Sequence, residues 1–265
     1  MKKYTIHLIM AFLGLFGCKQ KAKEQSVEET QSGFNAEQKT VKQTIFGEEV
    51  TFNYSDFEDL PTNEYYDRFE IGMLNIPTGQ VVCTDPMYRE LGLPQSWTVE
   101  PGKYPVSTYI GLEEDFRGRV AYAEIIFSKT KIEKWEMSLI AEDMLQNDFE
   151  KKMNGMYPVE NGLSSFSDYS TWKKYCQKIK DFYKENPEGN FYNDKLDKLF
   201  KANGSIPQSS RGEDWINYKI NDSENIIMFG AGWGDGIYPR YVGTDENGKP
   251  VKFITDFIQL RYEKD

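Results

Sequence analysis

At 265 residues with 42 acidic against 32 basic side chains, the chain has a net charge of −10 and is sized for one large domain or two small ones. A body this acidic is not built to hold nucleic acid, whose phosphates it would repel. The single histidine, His7, falls in the amino-terminal leader, so the rest has no imidazole for a Ser-His-Asp triad, for acid–base work near neutrality or for zinc or iron.

Lys2 and Lys3, the apolar run Ile6 to Phe16, and Leu15-Phe16-Gly17-Cys18 stand in the order of a signal peptide. Roughly a dozen apolar residues fall short of the about 20 that a helix needs to cross a bilayer core, so residues 1–17 read as a cleaved leader. Leu15-x-Gly17-Cys18 resembles the lipobox of bacterial lipoprotein precursors. That resemblance implies a diacylglyceryl group on Cys18, cleavage on its amino side, and a protein held at the periplasmic or cell-surface side of a membrane by its lipid, not by its acidic body. Residues 18–42, rich in Lys, Glu, Gln, Ser and Thr, then make a disordered tether, and residues 43–265 a single domain.

Strand patterning begins in Val41 to Tyr54, broken at Gly47, and continues in Phe69 to Leu74 and Gln80 to Thr84, joined by Pro77-Thr78-Gly79. Both pairs read as hairpins. Another strand, Tyr104 to Ile110, follows Pro101-Gly102. Arg119 to Ser128 and the alternating Ile132 to Leu139 predict a central hairpin that turns near Lys129-Thr130.

The period then changes. Trp172, Tyr175, Cys176, Ile179, Phe182 and Tyr183 recur at helical spacing, with Ser167 or Asp168 as the cap. Tyr192, Leu196, Leu199 and Phe200 mark a second, shorter helix that stops at Gly204. Strands return at Ile226 to Phe229, Ile237 to Val242 and Val251 to Leu260, the last two joined by a turn at Asp245 to Gly248. The turn resembles part of a calcium loop but lacks the acidic ligand further on. The fold class that follows is α+β: a mainly antiparallel curved sheet or sandwich with two helices inserted in the middle third. Cys83 and Cys176 are open to a bridge in an oxidising compartment but read more simply as small buried hydrophobes.

The densest unusual segment is Gly230-Ala231-Gly232-Trp233-Gly234-Asp235-Gly236-Ile237-Tyr238-Pro239. Gly232, Gly234 and Gly236 let the backbone come close to a ligand or to another strand. Trp233 and Tyr238 are candidates for stacking on a ligand, and Asp235 for a carboxylate at a pocket floor, against the plainer reading of a wide hairpin loop. The spacing is not that of a phosphate-binding glycine loop, and neither metal nor cofactor is expected. Asp85, before Pro86 at one strand end, and Arg119, at the start of another, are candidates for one rim of the sheet or for a structural ion pair. Lys103 and Asp168 complete the candidate set.

These segments, in this order, resemble the family known as domain of unknown function 4241. The resemblance rests on Gly72-x-Leu74 to Asp85-Pro86, Pro101-Gly102-Lys103-Tyr104-Pro105-Val106, Arg119-Val120-Ala121, Trp135-Glu136, Gly155 to Asp168, Gly232-Trp233-Gly234-Asp235-Gly236-x-Tyr238-Pro239 and Asp256-Phe257. It implies one domain with a shared set of special positions and implies no reaction. Where members tend to carry an acidic Gly-Val-Asp-Ala-Gly stretch, this chain reads Tyr157-Pro158-Val159-Glu160-Asn161-Gly162, so Glu160 would take the acid's place.

Three functions are compatible with these residues. The first is a membrane-anchored domain that binds a small molecule or a protein through the loop at Trp233 and Asp235. The second is a carboxylate-dependent hydrolase using two of Asp85, Asp168 and Asp235, with Arg119 or Lys103 stabilising developing negative charge; it requires these groups to converge in one cleft. The third is an immunity or inhibitor protein, which calls for a flat acidic face.

Overall fold

Among the described residues every strand pairing is antiparallel, and the strands divide between two packed sheets and one separate hairpin. The computed structural model describes residues 40–45, 48–53, 57, 60, 64–113, 116–204 and 214–257, all within one compact unit, Ala36–Asp265. Cys18, the leader and most of the tether lie outside the described residues.

The hairpin pairs β1 (Thr40–Ile45) with β2 (Glu48–Asn53). The larger sheet runs β3 (Tyr66–Ile76), β5 (Gly102–Gly111), β6 (Val120–Ile126), β13 (Pro250–Asp256), β12 (Gly236–Thr244), β7 (Lys134–Met137), and β8 (Met156–Val159) pairs with the first half of β12. The smaller runs β10 (Trp215–Asn221), β11 (Glu224–Gly230), β9 (Leu163–Asp168), β4 (Val81–Thr84). Helix α1 is Asp148–Lys152, α2 is Tyr169–Glu185 and α3 is Asp197–Asn203.

Strand alternation sorts the core into layers. In the smaller sheet Val81, Cys83, Ile227 and Phe229 point to the larger sheet, where they meet Val106, Ile125 and Phe253. Their neighbours Val82, Ile226 and Met228 point the other way, onto Trp172, Tyr175, Ile179 and Phe182 of α2 and Phe200 of α3. The outer face of the larger sheet carries Tyr109, Tyr122, Tyr241 and Trp135, covered by Phe57 and Leu60. The result is an α+β sandwich with α2 and α3 on one outer face, the class that the sequence predicts.

Asp168 caps α2, its Oδ1 accepting from Ser170 N at 2.8 Å. In the second helical segment Leu196 and Phe200 are buried and Leu199 is exposed. Tyr192 to Leu196 winds as a π-helix before α3, which ends at Gly204 with φ 78°. Cys83 and Cys176 are free thiols, Cys83 buried.

Two predicted pairings are corrected. Residues 69–74 and 80–84 are not partners: β3 pairs with β5, whereas β4 joins the other sheet beside β9. The turn at 77–79 therefore crosses between sheets. Nor do residues 119–128 and 132–139 form a hairpin. Both edges of β6 are filled by β5 and β13, and β7 pairs with β12. Three strand spacings separate β6 from β7, roughly 14 Å, within reach of the seven-residue link at about 3.3 Å per residue.

Candidate functional site

Strand register fixes which loops meet. Gly230 of β11 lies opposite Leu163 of β9, and Thr84 of β4 lies opposite Ser165. The carboxyl ends of β4 and β11 and the amino end of β9 therefore share one end of the smaller sheet. There the chain crosses to the larger sheet twice, through residues 160–162 between β8 and β9 and through residues 231–235 between β11 and β12. The crossings lie side by side, with Ala231 N donating to Gly162 O at 2.9 Å.

Two of the sequence candidates grip the first crossing. Asp85 is fully buried; its Oδ2 accepts from the backbone N–H of Glu160 at 2.9 Å and of Asn161 at 3.1 Å and from Asn161 Nδ2 at 3.2 Å. Its Oδ1 accepts from Met87 N at 2.7 Å. Burial pushes its carboxyl above the ordinary range, opposed by these bonds. Asp235, on the exposed side, accepts from Gly162 N at 3.0 Å through Oδ1. Glu160 stands between the two, and its carboxyl is raised by partial burial and then by the charges of Asp85 and Asp235.

The second crossing is held by its own neighbours. Gly232 has φ +35°, and a Cβ there would lie 2.6 Å from Phe257 Cβ and 2.7 Å from Val120 O. The close approach that the glycines permit is thus to the protein's own sheet. Arg119 Nη1 donates to Gly232 O at 2.6 Å, and its guanidinium lies 4.5 Å from the centre of the Trp233 ring. Trp233 remains 49% exposed. Tyr238 is no stacking platform: it is buried with its ring 5.0 Å from Phe257, and its hydroxyl donates to Gly234 O at 2.8 Å. It ties the loop down from beneath.

Lys103 and Asp168 lie elsewhere. Asp168 pairs with Val81, four residues along the ladder from Asp85, roughly 13 Å. Its oxygens are occupied by Ser170 and by Thr78, whose N and Oγ1 donate to Oδ2 at 2.9 and 2.6 Å. Lys103 is at the far end of β5 from Arg119, about 26 Å along the strand. It lines a polar hollow with Asn75, Asn217 and Asn225. The ion pair of Asp85 with Arg119 does not form among the described residues; Asp85 takes backbone donors and Arg119 a carbonyl and a ring. No group of three or more metal-ligating side chains occurs among the described residues.

Sequence reasoning missed the object that both carboxylates hold, the turn 160–162, and missed Arg240. The signal for Arg240 was present: a lone charge inside the apolar run Ile237 to Val242. It is 1% exposed, where β12 exchanges β8 for β7 as its partner.

No curated protein and no solved structure matches the chain. A family model does match, from Leu74 in β3 to Thr255 in β13, a span that takes in both crossings, Asp85, Arg119 and Asp235. The chain belongs to the family described as protein of unknown function DUF4241.

Proposed function

We propose that this is a lipid-anchored binding protein, joined to a membrane through Cys18, whose rim at Trp233 recognises a ligand or partner on the periplasmic or cell-surface side. The observation that carries the binding reading is the half-exposed Trp233 on a loop already fixed by Arg119, Asp235 and Tyr238. A large aromatic surface held in place before contact loses little freedom on binding, which favours affinity.

The hydrolase reading has less support. It needs two carboxylates facing one substrate, and Asp85 and Asp168 have their oxygens occupied inside the fold, leaving Asp235 alone at the surface.

A thermal-shift screen of sugars, peptides, nucleotides and metals on the wild type and on Trp233→Ala tests the rim. A compound class whose stabilisation disappears in the variant is expected; stabilisation retained in full assigns binding to another surface. For the anchor, labelled palmitate is expected to enter the wild type and not Cys18→Ala. Equal labelling of the two would remove the lipoprotein reading.

A further inference from the structure

Arg240 carries a full positive charge in the interior without a carboxylate beside it. Its side chain is 1% exposed. Nη2 donates to Met156 O at 2.9 Å and Nη1 to Cys83 O at 3.4 Å, while Nε is buried with no acceptor. No Asp or Glu forms an ion pair with it among the described residues. The nearest groups able to ionise do not supply the missing charge. Burial pushes the Cys83 thiol up to about 11 against the pull of Arg240 and raises the Tyr157 hydroxyl well above its ordinary range, so both are neutral at pH 7. A guanidinium stays protonated in proteins, and leaving it buried without an anion is strongly unfavourable.

Arg240 also forms part of the wall of a cavity. This cavity is one open groove with room for one or two water-sized groups, about 30 Å³, or about 370 Å³ when the open space at its mouth is counted. The groove is lined mainly by apolar side chains, among them Leu91, Leu93, Ile140, Leu145 and Met153. The one acid in its wall, Glu150, is engaged at the start of α1, accepting from Gln146 N and Asn147 Nδ2.

We propose that this groove is a binding site for a monocarboxylate with an apolar tail: the carboxylate pairs with Arg240 at the groove wall, and the tail lies against the apolar side chains toward the open mouth. Two coplanar oxygens match the guanidinium fork and supply the counter-charge that the interior lacks. A phosphate brings a third oxygen and a second charge into mainly apolar surroundings beside Glu150. The site is separate from the rim at Trp233 and stands whether or not that rim binds anything.

The test is thermal melting of the purified full chain with octanoate, octanol, acetate and phosphate, repeated on Arg240→Met and Leu145→Trp. Octanoate at a hundredfold excess over its dissociation constant is expected to raise the midpoint by about 5 °C or more, and octanol by less than a fifth of that. Arg240→Met replaces a buried charge by an apolar chain of similar length and is expected to fold and to lose the shift. Leu145→Trp fills the groove, keeps the arginine and is expected to lose the octanoate response alone, which carries the test should the first variant not fold. Octanol acting as well as octanoate, phosphate acting as well as octanoate, or no shift with any carboxylate overturns the proposal.

Discussion

Asp85 shows how a residue singled out for chemistry serves as a clamp. A carboxylate only accepts, and here it collects four N–H groups from two separate segments. In Asp85→Asn one oxygen becomes a donor facing donors, so the variant is expected to lose about 2–3 kcal/mol, read from the midpoint of urea unfolding. Glu160 gives the opposite sign. Its folded carboxyl is raised above the ordinary 4.5 by partial burial and by Asp85 and Asp235. The folded state therefore binds its proton more tightly, and the contribution to stability falls as pH rises through 4.5 toward the raised value. Glu160→Gln is expected to flatten this slope and to gain less than about 0.5 kcal/mol at pH 7, because the side chain is solvent-screened; unfolding curves at a series of pH values measure it. Asp-Pro at a strand end made Asp85 visible in the sequence. Its role was not visible, because the turn it grips lies 75 residues away.

Elements were legible where one period runs through them. Helix α2 repeats its apolar face over four turns and has its cap in Asp168, so sequence and structure agree. Strand β9 was missed for the converse reason: Leu163-Ser164-Ser165-Phe166-Ser167-Asp168 has the composition of a loop, yet all six residues are buried between β4 and β11. Two of its serines find partners supplied by the fold, Tyr157 for Ser164 and Thr84 O for Ser165. Tertiary context overrides propensity there. The glycine-rich crossing separates two kinds of glycine. Gly232→Ala is expected to destabilise by at least about 2 kcal/mol, since its Cβ meets Phe257 and a carbonyl oxygen. Gly234→Ala, with φ +93° and nothing within 4 Å, carries the backbone strain alone and is expected to lose about 1 kcal/mol. Calorimetric melting of the two variants checks the order.

At the scale of the molecule, the larger sheet encloses a charge network. Glu124, fully buried on β6, accepts from Arg68 Nε and Tyr109 Oη at 2.9 Å and pairs with Lys252 Nζ at 2.9 Å, joining β3, β5, β6 and β13. Glu124→Gln leaves the two cations without a counter-charge and is expected to lower stability by about 3 kcal/mol, measured by denaturant unfolding. The sequence by itself determined the α+β class, helix α2, the β12–β13 hairpin, the family and the segments with special backbone demands. Each of these depends on residues close together in the chain, where spacing and turn chemistry act directly. Only the tertiary structure decided that β3 and β4 part into different sheets, that β6 and β7 stand three strands apart, and that Asp85 and Asp235 close on one turn. It also decided that Arg240 is left charged in an apolar groove. Those outcomes depend on which distant strands pair, and that is set by covering apolar faces across the whole sandwich, which no local pattern records.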